Sequence, residues 1–248
     1  MSDPRVETRL YVEDALAPGA TIGLGPERAH FLKHVLRLNT GAAVALFNAR
    51  DGEFLTRIDG IGKGWASLAV AERLRAPEPE SDLWLLFAPI KFGRIDFLAQ
   101  KATELGVTRL QPVFTRRTAV ERVNTDRLRA NAIEAAEQTQ RLGVPEVLAA
   151  VTLERAIGDW PRERTLYVCA EFGPAEAVAA VFQRHPPGRP AAILTGPEGG
   201  FEHEELDALV KLPFVSAVGM GPRVLRADTA ALSALAVWQA VAGDWRAR

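Results

Sequence analysis

Cysteine is nearly absent from this sequence: Cys169 is the single one in 248 residues. One thiol excludes an internal disulfide framework and a metal site built from cysteines. Cys169 lies in the apolar run 166–170, so we expect a buried core thiol and not a nucleophile. The four histidines show no HExxH spacing, and the pair His30 and His34 has no third ligand, so no metal site is predicted.

Long apolar runs are also missing. No stretch approaches the ~20 apolar residues that a transmembrane helix needs, and the charged residues 1–14 lack the apolar segment of a secretory signal. We therefore expect a cytoplasmic protein. The composition, 48% hydrophobic and 25% charged, is typical of a globular protein. A chain of this length is expected to form one or two domains.

The sequence has no excess of charge of either sign, since its formal net charge is −1. This excludes nucleic-acid binding by bulk positive charge, so any such contact must rest on local clusters of basic residues. A G-x-S-x-G nucleophile elbow is missing. A P-loop lysine and metal-binding carboxylates are missing too, which argues against nucleotide hydrolysis.

Residues 1–73 predict a small, mostly β module. Short apolar or alternating runs separated by glycines predict its strands at 9–12, 43–47, 54–58 and 65–71. Pro26 suits the first turn of a helix, which we expect to run from there to Leu38. Residues 74–82 are polar and contain prolines, so we place a linker there and a second domain at 83–248.

The predicted helix of this module carries basic residues at helical spacing on one side: His30, Lys33, His34 and Arg37. One interpretation is a solvated helix face. The other is a surface that contacts phosphates, together with Arg5 and Arg9. Both interpretations stay open on the residues alone.

The second domain alternates apolar runs of strand length with helical segments. We expect strands at 83–88, 110–114, 165–170, 191–195 and 214–218, and helices at 94–105, 125–142, 175–184, 202–210 and 228–242. This alternation predicts an α/β fold with a mostly parallel sheet covered by helices. Ligands of such sheets sit beyond the carboxyl ends of the strands.

Two glycine- and proline-containing loops follow neighbouring strands of this domain. The first, residues 195–201, leads into a helix whose acidic first turn complements the helix dipole and argues against a bound phosphate. The second, residues 218–226, leaves bare amides and carbonyls at Gly219, Gly221 and Pro222. These groups suit an uncharged ligand edge such as adenine.

Arginines flank the second loop where the last helix begins. Arg223 and Arg226 are unfavourably placed relative to the helix dipole, so we expect them to face an anion such as a nucleic-acid phosphate. Asp228 and Thr229 are the expected N-caps. The helix then carries an apolar stripe suited to the core or to a subunit interface: Leu232, Leu235, Trp238 and Val241.

Residues 115–122 form the best local basic cluster of the second domain, with Arg116, Arg117 and Arg122. The helix expected at 125–142 then places four polar residues on one face: Glu134, Glu137, Gln138 and Arg141. That face is either solvated or part of a partner surface.

Several motifs resemble the trefoil-knotted SPOUT methyltransferases, and more narrowly the family that methylates N3 of a uridine in 16S ribosomal RNA. They are Leu-Thr-Gly-Pro-Glu-Gly-Gly-Phe at 194–201, Gly-Pro-Arg-Val-Leu-Arg at 221–226, Asp-Thr-Ala-Ala at 228–231, and the segments 101–107 and 133–138. The pattern of His30, residues 35–37, Gly41 and residues 46–47 resembles the PUA-like RNA-binding module of that family. One departure is visible: the family usually has Thr-Glu-Thr where this chain has Ala-Asp-Thr at 227–229.

The resemblance implies a knotted C-terminal domain, which is an exception to the rule that chains are unknotted. It implies S-adenosylmethionine as cofactor, 16S ribosomal RNA of the small subunit as substrate, and a homodimer. The cofactor-binding residues expected are Leu194, Thr195, Gly196, Pro197, Glu198, Gly199, Gly200, Val218, Gly219, Met220, Gly221, Leu225 and Arg226. Arg226 and Glu198 are the expected catalytic residues. The expected RNA contacts are Arg9, His30, Arg37, Arg116, Arg117, Arg141 and Arg223.

Methylation at N3 requires that the uracil lose its N3 proton, while the protein positions donor and acceptor and stabilises the anion. No cysteine adduct is needed. Two alternatives stay open: a SPOUT methyltransferase for transfer RNA or another ribosomal site, and a non-catalytic RNA-binding assembly factor with the same fold. Retained glycines in both loops argue against the second alternative.

Overall fold

The computed structural model describes residues 6–91, 93–173 and 175–247 and divides into two compact units. The first unit spans Met1–Pro79 together with Ala136–Val144, and the second spans Glu80–Ala135 and Pro145–Arg248. Arg5, expected beside the basic helix, lies outside the described residues. Within the described ranges, no helix is long and apolar enough to cross a membrane.

The first unit is built on a five-stranded sheet. Its strands are β1 (Arg9–Tyr11), β2 (Thr21–Leu24), β3 (Ala43–Asn48), β4 (Gly52–Gly62) and β5 (Trp65–Arg75), in the order β1-β3-β4-β5-β2. The β1–β3 pair is parallel and the other pairs are antiparallel. The four predicted strands are confirmed. The short β2 was not predicted, although its residues alternate between exposed and buried.

The helix of this unit is shorter than predicted. The α-helix α1 (Pro26–His30) continues as a π-helical turn, Phe31–Val35, and ends there. The Leu36 amide donates to the carbonyl of Phe31 and the Leu38 amide to that of Leu32, so the turns widen instead of continuing. Arg37 has φ 57°, which is outside the helical region. The prediction of a helix to Leu38 was therefore wrong at its C-terminal end.

Arg9 has a structural role in the first unit. Its Nε donates to the Glu53 carboxylate, its Nη1 donates to the carbonyls of Ala136 and Glu137 at 3.0 Å each, and its Nη2 donates to the carbonyl of Arg141 at 3.2 Å. Only 14% of the Arg9 side chain is exposed. These donors already face protein acceptors, so Arg9 ties residues 136–141 to β1, and its contact with RNA stays a prediction.

The second unit contains an eight-stranded sheet. Its strands are β6 (Leu83–Phe87), β7 (Arg109–Phe114), β8 (Glu146–Val147), β9 (Val151–Thr152), β10 (Thr165–Ala170), β11 (Glu176–Ala177), β12 (Ala191–Thr195) and β13 (Val215–Gly219). The order is β11-β13-β10-β12-β6-β7-β8, with β9 paired to β7, and every pairing is parallel. The predicted parallel sheet is confirmed.

The helices of the second unit are α2 (Arg94–Glu104), α3 (Thr125–Gln138, whose last residues belong to the first unit), α4 (Leu153–Gly158), α5 (Val178–Gln183), α6 (His203–Val210) and α7 (Ala227–Val241). A 3₁₀ turn follows at Asp244–Ala247. The short α4 was not predicted. The helix expected at 125–142 ends at Gln138, and Gln140 has φ 60°. Arg141 therefore does not extend a helical face with Glu134.

The last helix, α7, begins one residue earlier than expected. Arg226 is its N-cap and makes no side-chain capping bond, so the prediction that Asp228 or Thr229 caps the helix was wrong. Leu235 and Trp238 are buried in the core of the second unit, and Leu232 and Val241 pack against that core. The apolar stripe of α7 is thus a core surface.

The strand order positions the site. β10 lies between β12 and β13, so the loops that follow β12 and β13 reach the same edge of the sheet on either side of the β10 carboxyl end. Helix α7 returns from the second loop to pack on β12, β10, α2 and α5. Two segments separated by about 20 residues in the sequence thereby meet at one edge.

Candidate active site

A cleft that is open to solvent lies at this edge of the sheet. It is lined by residues 169–171 at the end of β10, 195–196 of the first loop, 220–225 of the second loop, and Ala227 and Ala230 of α7. Most of the lining is apolar side chain or backbone, with Glu171 and Arg223 as the charged residues of the lining.

The structure brings together five of the predicted cofactor residues in the cleft wall: Thr195, Gly196, Met220, Gly221 and Leu225. Leu194 and Val218 are instead fully buried within their strands. The remaining predicted positions lie along the two loops beside the cleft, outside its lining: Pro197, Glu198, Gly199, Gly200, Gly219 and Arg226. The cofactor prediction therefore stays strongest for the parts of each loop nearest β10 and α7.

Glu171 is a cleft residue that the sequence did not single out. It directly follows β10, and partial burial raises the pKa of its carboxyl, against an opposing effect of Arg117. Gly200 has φ +69°, and a Cβ at Gly200 would overlap the Glu171 carboxylate. Glycine is required there both by the backbone conformation and by the approach of Glu171. An acid immediately after a central strand was the sequence signal available for finding it.

Cys169 forms part of the cleft wall but is inert. It is a free cysteine with 5% exposure, and burial raises the pKa of its thiol to about 12. A thiol with that pKa stays protonated at neutral pH, and only the thiolate is a strong nucleophile. The prediction of a buried core thiol is confirmed.

The first loop is fixed by the start of α6. Glu202 and Glu205 form a capping box, in which each side chain bonds to the backbone of the other's position. The capping box occupies two of the amides at the N-terminus of α6, the kind of donor that an anion would use. Glu198 is exposed at the loop tip, where its Oε1 accepts from the Lys91 amide at 3.4 Å.

Arg116 and Arg117 contact this acidic helix start. Arg116 Nη1 lies 3.1 Å from Glu202 Oε2 and 2.7 Å from Glu204 Oε2, and these carboxylates raise the pKa of Arg116. Arg117 Nη1 donates to the carbonyl of Gly199 at 3.2 Å. Both guanidinium groups are exposed. Their contacts with the two carboxylates and with the Gly199 carbonyl already use part of the charge and of the hydrogen-bond donors that the predicted RNA contacts would need.

Arg223 and Arg226 differ from them. Both are exposed on either side of Val224 and Leu225, and within the described ranges neither forms an ion pair. Val224 is 88% exposed, so this segment projects into solvent at the mouth of the cleft. Free cations beside a cleft are well placed for a polyanionic substrate.

The remaining predicted RNA contacts of the first unit lie on or just after its helix and in the segment Ala136–Val144, which belongs to this unit. His30 and Arg37 are exposed, and the His30 and His34 rings lie 4.8 Å apart. Arg141 is half-buried, and its carbonyl accepts from Arg9. In the part of the chain that the structure describes, no cluster of three or more His, Cys, Asp or Glu could hold a metal ion.

Family models for two domains of RNA methyltransferases cover most of the chain. A family model for the RNA methyltransferase domain matches residues 77–239, and a model for the RNA methyltransferase PUA domain matches residues 24–68. This confirms the expected fold class, a SPOUT domain with a PUA-like N-terminal module.

Individual relatives agree over nearly the whole chain. The ribosomal RNA small subunit methyltransferase E of Rickettsia conorii is 34% identical over 230 residues, covering 92% of this chain and 93% of the relative. The Neisseria gonorrhoeae enzyme of the same name, solved with bound S-adenosyl methionine, matches with TM-score 0.85 and 29% identity over 96% of this chain and 99% of that one. A Legionella pneumophila methyltransferase solved with the same cofactor matches with TM-score 0.83 and 30% identity, over 97% and 99% of the two chains. The chain belongs to the ribosomal RNA small subunit methyltransferase E family.

Proposed function

We propose that this protein transfers a methyl group from S-adenosylmethionine to N3 of a uridine in 16S ribosomal RNA. The observation that carries the proposal is the cleft between the two backbone-rich loops, at the carboxyl ends of β10, β12 and β13. It occurs in a chain that aligns over 92% of its length with a small-subunit ribosomal RNA methyltransferase.

The residues of the cleft fit S-adenosylmethionine. The bare backbone of residues 220–225 suits the hydrogen-bonding edge of an adenine, and Met220 and Leu225 suit its faces. Glu171 supplies a carboxylate toward a ligand that carries cationic ammonium and sulfonium groups. When bound, the cofactor supplies an activated methyl group, so the protein need not activate a nucleophile covalently.

The chain's own residues have to orient the nucleotide and stabilise its charge. Arg226, at the N-cap of α7 beside the cleft, would contact the uracil as N3 loses its proton and stabilise the resulting anion. Glu198 is the second proposed catalytic residue, on the exposed tip of the first loop. Arg223 would hold a neighbouring phosphate. The protonated Cys169 takes no part in the reaction.

The remaining parts of the proposal concern partners. A ribosomal RNA substrate places the enzyme in the cytoplasm with the small ribosomal subunit, where the first unit would add RNA contacts through His30 and Arg37. The family resemblance supports a homodimer. Because the apolar stripe of α7 is used in the core, the dimer surface must be sought elsewhere than on Leu235 and Trp238.

The substrate assignment is tested by nucleoside mass spectrometry of 16S ribosomal RNA from a strain that lacks the gene. We expect 3-methyluridine to be lost from that RNA and restored by the wild-type gene but not by Arg226→Ala. Unchanged 3-methyluridine in the deletion strain would rule out this substrate, and would leave the transfer-RNA or other ribosomal sites to be searched for a missing methyl group.

The non-catalytic alternative is tested separately by titration calorimetry. An enzyme of this class binds S-adenosylmethionine without RNA, whereas an assembly factor on the same fold has no need to. No binding at millimolar cofactor would favour the assembly factor.

A further inference from the structure

The hairpin of β4 and β5 presents an exposed tryptophan. Trp65 is the first residue of β5, directly after the turn at Lys63 and Gly64, and 52% of it is exposed. A single exposed aromatic ring is ordinary on a protein surface, so the case for a ligand rests on how this ring is held and on the charges around it.

The site of Trp65 is built to hold the indole. Gly62 and Gly60 precede it on β4, and Gly62 is its cross-strand partner. A Cβ at Gly62 would overlap the indole Nε1, and a Cβ at Gly60 would lie 2.9 Å from its Cη2. The ring thus packs against two glycines of β4, whose missing side chains leave room for it. This packing fixes the position of the indole, while the rest of the ring faces solvent. Such a fixed ring loses little conformational entropy when a ligand stacks on it.

The charges nearby indicate an anionic partner. Lys63 is exposed in the same turn, and Gly64 lies beside Pro26, the first residue of α1. The exposed basic residues of α1 and its π-helical extension follow from there: His30, Lys33, His34 and Arg37. The exposed acids of the helix and the hairpin are Glu27, Asp59 and Glu72, and they are outnumbered by the exposed lysines and arginines of the same elements: Lys33, Arg37, Arg57, Lys63 and Arg73. The PUA family match, residues 24–68, spans this whole surface.

We propose that Trp65 stacks on an unpaired base of the RNA, while the basic residues of α1 contact its backbone. Aromatic stacking is the general way in which proteins hold unpaired bases, because every base has a π face. This inference rests on the proposed function only in taking RNA as the partner. It adds a second point of recognition, on the first unit and separate from the cleft.

The test compares Trp65→Ala, Trp65→Leu and Trp65→Phe in the full-length protein. Affinity is measured for small ribosomal subunits from the deletion strain, at several salt concentrations. We expect Trp65→Ala and Trp65→Leu to bind about tenfold more weakly and Trp65→Phe to bind nearly as well as wild type. The salt dependence should be unchanged in all three, whereas Lys63→Gln should lower its slope by about one. Trp245→Ala is the matched control, since Trp245 is 53% exposed on the second unit.

Distinct results would overturn the proposal. Wild-type affinity in Trp65→Ala, or equal affinity in Trp65→Leu and Trp65→Phe, would show that no π face is needed. A shift in sedimentation of Trp65→Ala without loss of RNA affinity would assign the surface to a second copy of the chain. Folding of the first unit is checked by far-UV circular dichroism and denaturant unfolding, in which every variant should match wild type. Failure of the wild type itself to bind subunits would contradict the proposed function instead.

Discussion

Glu171 is the residue whose environment most directly reports on the cleft. Partial burial raises the pKa of its carboxyl, so ionisation is costly while the cleft holds no cation. A cationic ligand would relieve that cost. We expect Glu171→Gln to bind S-adenosylmethionine about tenfold more weakly at neutral pH, since a hydrogen bond to a charged group contributes about 1.5–3 kcal/mol. Titration calorimetry measures this, with Asp207→Asn on the exposed side of α6 as the control.

The raised pKa of Glu171 also predicts how stability and cofactor affinity should change with pH. A carboxyl whose pKa is raised by folding binds its proton more tightly in the native state, so ionising it destabilises the protein as pH rises through that pKa. Glu171→Gln should therefore be more stable than wild type at neutral pH without cofactor, and the difference should vanish on acidification. Wild-type cofactor affinity should fall over the same pH range. A Glu171→Gln protein with wild-type affinity and wild-type pH dependence would remove Glu171 from the site.

Arg9 has structural contacts that its position in the sequence does not indicate. Its position beside a predicted basic helix favoured an RNA contact, but its acceptors come from residues 53 and 136–141, far away along the chain. Local spacing carries no information about such contacts. The cation also stacks 4.2 Å from the Phe47 ring centre, which adds a contact that only the fold creates.

We expect Arg9→Met to destabilise the protein by about 3 kcal/mol, because Glu53 would keep a buried charge with one partner fewer. Denaturant unfolding measures the change. Arg50→Met is the matched control: its pair with Asp51 is on the surface, so its loss should matter little. The slope of RNA affinity against salt should be the same in Arg9→Met and wild type. A slope lower by one would restore Arg9 as a phosphate contact.

Among the elements, α6 links the first loop to the segment after β7. Glu205 is 6% exposed, its Oε2 accepts from the Glu202 amide at 3.1 Å, and its Oε1 accepts from the Arg116 amide at 2.8 Å. One buried carboxylate thus satisfies the helix N-terminus and the neighbouring loop. The acidic first turn of this helix was predicted from the sequence. The bond to Arg116 was not, because it joins positions 89 residues apart.

Glu205→Ala should cost about 1–2 kcal/mol through the lost cap and the unpaired amides. Glu204→Ala, at an 82% exposed position of the same helix turn, should change stability little. Thermal unfolding of the two variants, measured side by side, compares the two losses of stability. Equal effects would mean that charge at the helix start matters and the capping geometry does not.

The elements that the sequence predicted best are those bounded by strong local signals. β12 and β13 are apolar runs closed by glycine loops, and their limits agree with the structure to within a residue. The missed elements, such as α4 and β2, are at most six residues long and carry too few periodic positions to stand out. The end of α1 was misplaced because π-helical turns have no distinct sequence period.

At the scale of the whole molecule, neither the order of the strands nor the assignment of segments to the two units could be predicted from local sequence patterns. Alternating strands and helices predict a parallel sheet but not that β13 lies beside β10. Nor could periodicity assign Ala136–Val144 to the first unit, since the buried contacts of Ala136 and Leu142 are with Phe47. The domain limits 1–73, 74–82 and 83–248 stay a prediction. The two loops that flank the cleft could be predicted from sequence because each follows a strand. Glu171 was missed although it directly follows β10, because its approach to Gly200 depends on the fold.

Methyl transfer by the purified protein tests the central claim most directly. The protein is incubated with small ribosomal subunits from the deletion strain and S-adenosylmethionine labelled in its methyl group, and the nucleosides of the 16S RNA are analysed by mass spectrometry. The account predicts labelled 3-methyluridine, formed by wild type and strongly reduced with Arg226→Ala and Glu171→Gln. Label in any other nucleoside, or none in the RNA while S-adenosylmethionine binds, would contradict it.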